Sequence, residues 1–339
     1  MILPKNASNE TFKLLKMSLK FGLNLVGGNF HIGEFKETKV SFVEDNLPNF
    51  YGDKEILKGQ QVNDYIYNLL DRGEPFFLGR WGTVEYECIQ HFLKHIPWYE
   101  KRYNSRLRLI INNPAGFFPT TKSEYIERFA ETYLRASSAI DVMGLLGLPN
   151  EEKVISNVCP KATYIKMLDI EPWHYENPWS QKLKGKRVLV VHPFAEDIKM
   201  QYVNRKLLFN NPNILPDFEL KTIRAIQRNS LEQDQFDSWF EALNFMKGMI
   251  KATEFDIALL GCGAYGIPLA AFIKEELQKT AIHLASIVQL LFGLRGRRWD
   301  KTENGRLDHL FNEYWKYPTD NIGRITPDTK LSDADIYSQ

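Results

Sequence analysis

Three short segments of this chain combine a strand-like apolar run, a turn and a helical pattern, and each carries side chains able to handle an anion or a proton. The first is Phe76-Phe77-Leu78-Gly79-Arg80-Trp81-Gly82-Thr83-Val84-Glu85-Tyr86-Glu87. Arg80, Thr83 and Glu85 fall at its turn, where a guanidinium offers a fork of donors to a diphosphate and a carboxylate can hold a metal or take a proton. Helix physics alone also accounts for two of them. Thr83 is a good N-cap and Glu85 in the first helical turn complements the helix dipole.

The second segment, Asp256 to Ala270, reads as a strand followed by Gly261-Cys262-Gly263-Ala264-Tyr265-Gly266 and a helix. This G-x-G-x-x-G spacing lets backbone approach a pyrophosphate whose charge is met by the helix N-terminus. A dinucleotide site would also need an acid at the end of the next strand. That strand, Ala281 to Ser286, has none. The expectation is a diphosphate or nucleotide loop at Gly261, Gly263, Tyr265 and Gly266, with tight strand-to-helix packing as the alternative. The third segment, Lys184 to Asp197, brings His192 to the end of a strand, where a histidine either exchanges protons or simply supports the turn.

Two further clusters extend the inventory. Asp169-Ile170-Glu171 places two acids at a spacing suited to a divalent metal. Arg295-Gly296-Arg297-Arg298-Trp299 sets guanidinium groups beside an indole, as a phosphate clamp with an aromatic platform would. Trp81, Trp173, Trp179, Trp299 and Tyr265 lie near these loops, and their faces suit either a sugar ring or a core.

The elements that must position these groups alternate along the chain. Candidate strands are residues 75–78, 107–111, 140–145, 164–168, 187–191, 220–226, 256–260 and 281–284. Helical patterns cover 122–136, 195–209, 235–252 and 267–278. That rhythm predicts an α/β fold with right-handed crossovers and a mostly parallel sheet, in which ligands collect outside the carboxyl ends of the strands. Before it, Phe12, Leu15, Leu19 and Leu23 recur at helical spacing beside Lys13, Lys16 and Lys20. This basic amphipathic helix over 11–26 suits packing on the main domain or contact with a lipid surface. After the sheet comes an amphipathic stretch at 307–317 and a polar tail. The expected division is residues 1–50 for the N-terminal helix and loop, 51–300 for the catalytic domain and 301–339 for the C-terminal helix and tail.

The chain has 339 residues, 44% apolar and 25% charged, which excludes disordered and collagen-like classes. Lys plus Arg at 43 against Asp plus Glu at 42 lacks the positive excess of a dedicated DNA binder, so no nucleic-acid partner is expected. Cys88, Cys159 and Cys262 form neither a Cys-x-x-Cys pair nor an even framework, which fits a reducing cytoplasm. No apolar run approaches a membrane span, residues 1–10 lack a signal-peptide pattern, and a cytoplasmic protein is expected.

With these residues in place, the chain resembles glycosyltransferases of the GT-D fold, in particular a bacterial polysaccharide-biosynthesis branch. The resemblance rests on residues 79–85, 113–119, 188–194, 261–270 and 289–299. It implies a single Rossmann-like domain, a nucleotide-diphosphate sugar donor, here a UDP-sugar, and transfer to a surface-glycan or lipid-linked acceptor. In that fold an Arg-Phe-Gly-Asp-Gly-Glu-like turn holds a divalent metal through its D-x-E acids. Here the pattern falls on Arg80-Trp81-Gly82-Thr83-Val84-Glu85, with Thr83 in place of the Asp. Metal use, Mn²⁺ or Mg²⁺, is thereby in question, because a hydroxyl is a poorer ligand than a carboxylate.

The expectation that follows is a glycosyltransferase acting at the inner face of a membrane, with residues 11–26 as a peripheral contact. Arg80, Glu85 and His192 are its candidate catalytic residues, and Gly261, Gly263, Tyr265, Gly266, Arg295 and Arg298 its nucleotide-binding residues. Glu85, Asp169 and Glu171 are the candidate metal ligands. The alternatives are an NAD- or S-adenosylmethionine-dependent Rossmann enzyme on the 261–266 loop, and a nucleotide-binding subunit without turnover.

Overall fold

Nine strands form one sheet in the order β1-β2-β5-β4-β3-β9-β8-β6-β7. They are β1 (Phe50–Tyr51), β2 (Lys54–Leu57), β3 (Phe77–Arg80), β4 (Val142–Leu145), β5 (Thr163–Lys166), β6 (Arg187–His192), β7 (Glu219–Arg224), β8 (Ile257–Leu260) and β9 (Thr280–His283). All pairings are parallel except β1 with β2. The computed structural model describes residues 47–93, 103–112, 115–226, 235–296, 299 and 306–319. The basic helix expected over 11–26, Arg298 and the tail beyond 319 lie outside these residues.

Alternation along each strand sends side chains to two cores. On one face Phe77, Met143, Tyr164, Leu189, Val191, Ala258, Leu260 and Ala281 pack beneath five helices. These are α2 (Thr83–Leu93), α4 (Ser123–Ser137), α5 (Glu151–Val158), α8 (Trp239–Ala252) and α9 (Gly266–Leu277), with α3 (Ser105–Asn112) behind them. On the other face Leu78, Val142, Ile165, Val188, Val190, Ile257, Leu259 and Ile282 meet α1 (Gln60–Arg72), α6 (Ala195–Val203), α7 (Arg205–Leu208) and α10 (Ile287–Leu291). Strands buried on both faces read as unbroken apolar runs, which is why most were legible in the sequence. The fold is α/β and Rossmann-like, as the strand and helix rhythm predicts.

Four expectations are corrected. Residues 107–111 form α3 and not a strand: Asn104 Oδ1 accepts the Leu107 N–H at 2.8 Å, and the i, i+3, i+4 set Leu107, Ile110 and Ile111 faces the core. The 307–317 stretch is no helix; beyond a short 3₁₀ turn at Asp308–Leu310 it runs as an extended strap pairing Leu294 with Lys316. The 195–209 helix breaks at Asn204, whose backbone leaves helical values at φ −91° and ψ 8°. The loop expected to close the 1–50 segment gives way at Phe50 to β1 and its hairpin into β2.

Adjacent strands β3, β9, β8 and β6 end side by side, so the segments after residues 80, 283, 260 and 192 share one edge. The chain leaves β8 toward α9 on one face and leaves β6 toward α6 on the other. Such a divergence opens the crevice where parallel α/β sheets hold ligands.

Candidate active site

At the end of β3, Gly82 O accepts the Tyr86 N–H at 2.9 Å, making Gly82 and not Thr83 the residue that opens α2. Glu85 is therefore in the first turn, and its carboxylate folds back over Gly82 and onto its own backbone N–H. A side chain on Gly82 would overlap that carboxylate. Glu85 is only 6% exposed, and burial raises its proton affinity, an effect that its backbone hydrogen bond and the charge of Arg80 partly offset.

Arg80 brings a cation to this edge. Its guanidinium donates to Trp81 O at 3.2 Å, and no carboxylate among the described residues lies within 4 Å of it. Burial lowers its proton affinity, with Glu85 acting in the opposite sense through space. A half-buried guanidinium with one acceptor among the described residues has donors to offer an anion. Tyr133 of α4, which the sequence analysis passes over, completes the group. It is fully buried, its hydroxyl is turned toward the Gly82 N–H, and its proton affinity is raised by burial and then by Glu85. Nothing in the pattern of α4 distinguishes it from the core residues Phe129 and Leu134 around it.

The glycine loop has a different logic. A Cβ at Gly261 would lie 2.6 Å from both Ala285 O and His192 Cδ2, and one at Gly266 would overlap the His283 imidazole. Gly263 takes a φ of +55°, which only glycine adopts without strain. Tyr265 is fully buried and stacks on Trp239 with centroids 5.0 Å apart. Close packing explains Gly261, Gly266 and Tyr265 without a ligand, and of the loop's glycines only Gly263 is even partly open.

His192 reaches the shared edge as expected, but its Nδ1 accepts the Phe194 N–H at 3.0 Å and burial pushes its pKa down to about 3. It is a neutral ring supporting its turn. His283, absent from the sequence inventory, is equally buried and donates from Nδ1 to Leu260 O at 3.1 Å. Its pKa is also about 3, lowered by burial and then by the charge of Arg80.

Asp169 and Glu171 are not brought to Glu85. They follow β5 on the opposite face and are already engaged. Asp169 Oδ2 accepts the Gly59 N–H at 2.6 Å at the start of α1. Glu171 is gripped by Arg306 at 2.7 and 3.0 Å, by His174 Nε2 at 2.9 Å and by Trp173 Nε1 at 3.1 Å, contacts that together outweigh burial and lower its pKa. Among the described residues no group of three or more His, Cys, Asp or Glu is placed to hold a metal ion. Glu85, Asp169 and Glu171 do not fit a shared Mn²⁺ or Mg²⁺ site.

Arg295 is likewise occupied, its guanidinium lying over Phe311 at 4.2 Å and Tyr317 at 5.3 Å. The tryptophans near the loops are core: Trp81 donates to Ser137 Oγ at 2.8 Å, Trp179 donates to Ile170 O at 2.7 Å, and Trp173 and Trp299 are buried. The end of β4 is closed from within. There Glu151 accepts the N–H groups of Leu146, Gly147 and Leu148 at 3.2, 2.8 and 3.2 Å and the Tyr51 hydroxyl at 3.3 Å, filling an anion nest with the protein's own carboxylate. Burial outweighs those bonds and raises its pKa to about 7.

The edge thus reduces to Arg80, Glu85 and Tyr133, flanked by two neutral histidines. No helix among the described residues is long and apolar enough to cross a membrane. No protein-family model, curated protein or solved structure matches the chain.

Proposed function

We propose that the chain is a glycosyltransferase that takes a nucleotide-diphosphate sugar, a UDP-sugar, as donor and passes the sugar to a glycan acceptor at the inner face of a membrane. The observation that carries this reading is Arg80, a half-buried guanidinium at the end of a central parallel strand with no carboxylate among the described residues within ion-pairing distance. An anion with several acceptor oxygens matches it, and the divergence beside β8 is where a nucleotide would lie.

In the reaction, the acceptor hydroxyl forms a bond to the anomeric carbon while the bond to the diphosphate breaks and its electron pair leaves with the diphosphate oxygen. Arg80 meets the negative charge gained by that leaving group. Glu85 takes the proton of the acceptor hydroxyl, a role favoured by the raised proton affinity that burial gives it. Glu85, Asp169 and Glu171 do not share a metal site among the described residues.

Isothermal titration with UDP, GDP, CDP, dTDP, NAD and S-adenosylmethionine tests this. UDP is expected to bind selectively, and Arg80→Ala to weaken it at least tenfold, the loss of one charge-assisted contact of about 1.5–3 kcal/mol. Binding of NAD or S-adenosylmethionine with indifference to every nucleoside diphosphate overturns the reading.

A further inference from the structure

The helix pair α6 and α7 buries one side on β6 and β7 and leaves the other bare. Ala195, Ile198 and Leu208 enter the core, whereas Met200, Val203 and Leu207 point to solvent, Val203 at 77% exposure. These three flank the Asn204 break and form the exposed apolar side of the pair. The C-terminal strap runs beside them in the opposite direction. Thr319 N–H and Oγ1 bond Asp197, Gln201 Nε2 bonds Tyr314 O at 2.9 Å, and Asn312 Nδ2 bonds Leu207 O at 3.0 Å. The strap adds Tyr314 and Tyr317, both exposed, to the same flank. Phe50 and Phe245, the other large apolar side chains exposed among the described residues, belong to β1 and α8.

The charges around this side indicate its partner. Lys206 on α7 and Lys316 on the strap are exposed and carry no carboxylate partner among the described residues. Lys199 is neutralised by Glu196 at 2.8 Å, Arg205 by Asp217, and Glu313 is the one further exposed acid on this part of the strap. Arg295 sits beneath, between Phe311 and Tyr317. Lysine is depleted at protein–protein interfaces. An apolar side with tyrosines at its margin and lysines able to extend their ammonium groups outward instead matches a lipid–water boundary with anionic headgroups.

We infer that the surface formed by α6, α7 and the strap docks on an anionic membrane, with Met200, Val203 and Leu207 entering the headgroup boundary and Lys206 and Lys316 meeting the lipid charge. The argument stands on exposure and charge and is independent of the reaction at the strand ends.

The three native cysteines are buried, so a thiol-directed, environment-sensitive fluorophore can be placed on Val203→Cys in the full chain and, as a control, on Phe245→Cys of the opposite face. With vesicles of phosphatidylcholine and phosphatidylglycerol, the label at 203 is expected to brighten and shift to the blue while that at 245 stays unchanged. Vesicles of phosphatidylcholine alone should give little response, and Val203→Asp with Leu207→Asp should weaken vesicle binding about tenfold or more, the loss of about 1.4 kcal/mol or more of apolar burial. Failure to bind anionic vesicles overturns the proposal. So does binding without a change at 203, which would place the contact elsewhere, or a shift at 203 that grows with protein concentration in the absence of lipid, which would make the partner a second copy.

Discussion

Glu85 and Glu171 are both buried carboxylates shortly past the end of a parallel strand, yet they lie on opposite faces of the sheet and their surroundings differ in kind. Glu171 has every acceptor position spoken for by Arg306, His174 and Trp173, and its proton affinity falls. Glu85 has only its own backbone N–H and a guanidinium beyond contact distance, and its proton affinity rises. The first is a latch tying residues 306–319 to the sheet. The second has no such partner from another residue among the described residues. Satisfied buried charge marks structure and unsatisfied buried charge marks a site, a distinction that residue type alone does not carry.

Breaking the latch is expected to have the largest effect. Arg306→Ala leaves the Glu171 charge buried without its bidentate partner and should destabilise the protein by about 3–5 kcal/mol, read as a fall in the urea midpoint. A midpoint within experimental error of the parent would remove the contrast. The histidines beside Glu85 give the next effect. Their folded pKa values of about 3 lie below the unfolded value of about 6.5, so the unfolded chain binds protons first as the pH falls. The stability from keeping them neutral is present above pH 6.5 and is lost between there and pH 3, at about 2 kcal/mol for each ring at pH 5. Heteronuclear NMR at pH 5 should show both imidazoles neutral in the folded protein, with His192 protonated on Nε2 and His283 on Nδ1. Imidazolium signals from either would dissolve the picture of a neutral flank.

The smallest change in stability is expected at Glu85. Glu85→Gln keeps the shape and removes a charge that burial disfavours, so the urea midpoint should move by less than about 1 kcal/mol in either direction. Turnover of a bound donor should nevertheless fall by about a hundredfold or more, the scale of a lost proton acceptor. A large stability loss with unchanged turnover would make Glu85 a second latch.

Much of this architecture was legible from residue patterns. The apolar runs that became β3, β4, β6, β8 and β9 are nearly continuous because both faces of each strand are covered, and the turn after β3 declared itself by setting Arg80 and Glu85 beside Gly82. The strand misassigned at 107–111 shows where such reading stops, since Leu107, Leu109 and Ile111 alternate as in a strand while Leu107, Ile110 and Ile111 fall at helical spacing, and the Asn104 cap goes with the helix. The glycines of the 261–266 loop show the same limit in another form. Their spacing states that backbone must be approached closely but not by what, and the approaching groups are His192, Ala285 and His283.

What the sequence by itself determined is the order of most of the parallel strands and the three turns at which charged or titratable groups leave a strand, because apolar periodicity and glycine placement are local properties. Which of those groups remain uncommitted was decided only by tertiary structure. Arg306 and Glu171 are 135 residues apart, Tyr133 reaches Glu85 from another helix, and Glu151 closes the end of β4 with backbone groups that no composition reveals. Pairing of buried polar groups is settled by contacts between distant parts of the chain, and it is that pairing which separates the site at Arg80 and Glu85 from the latch at Glu171.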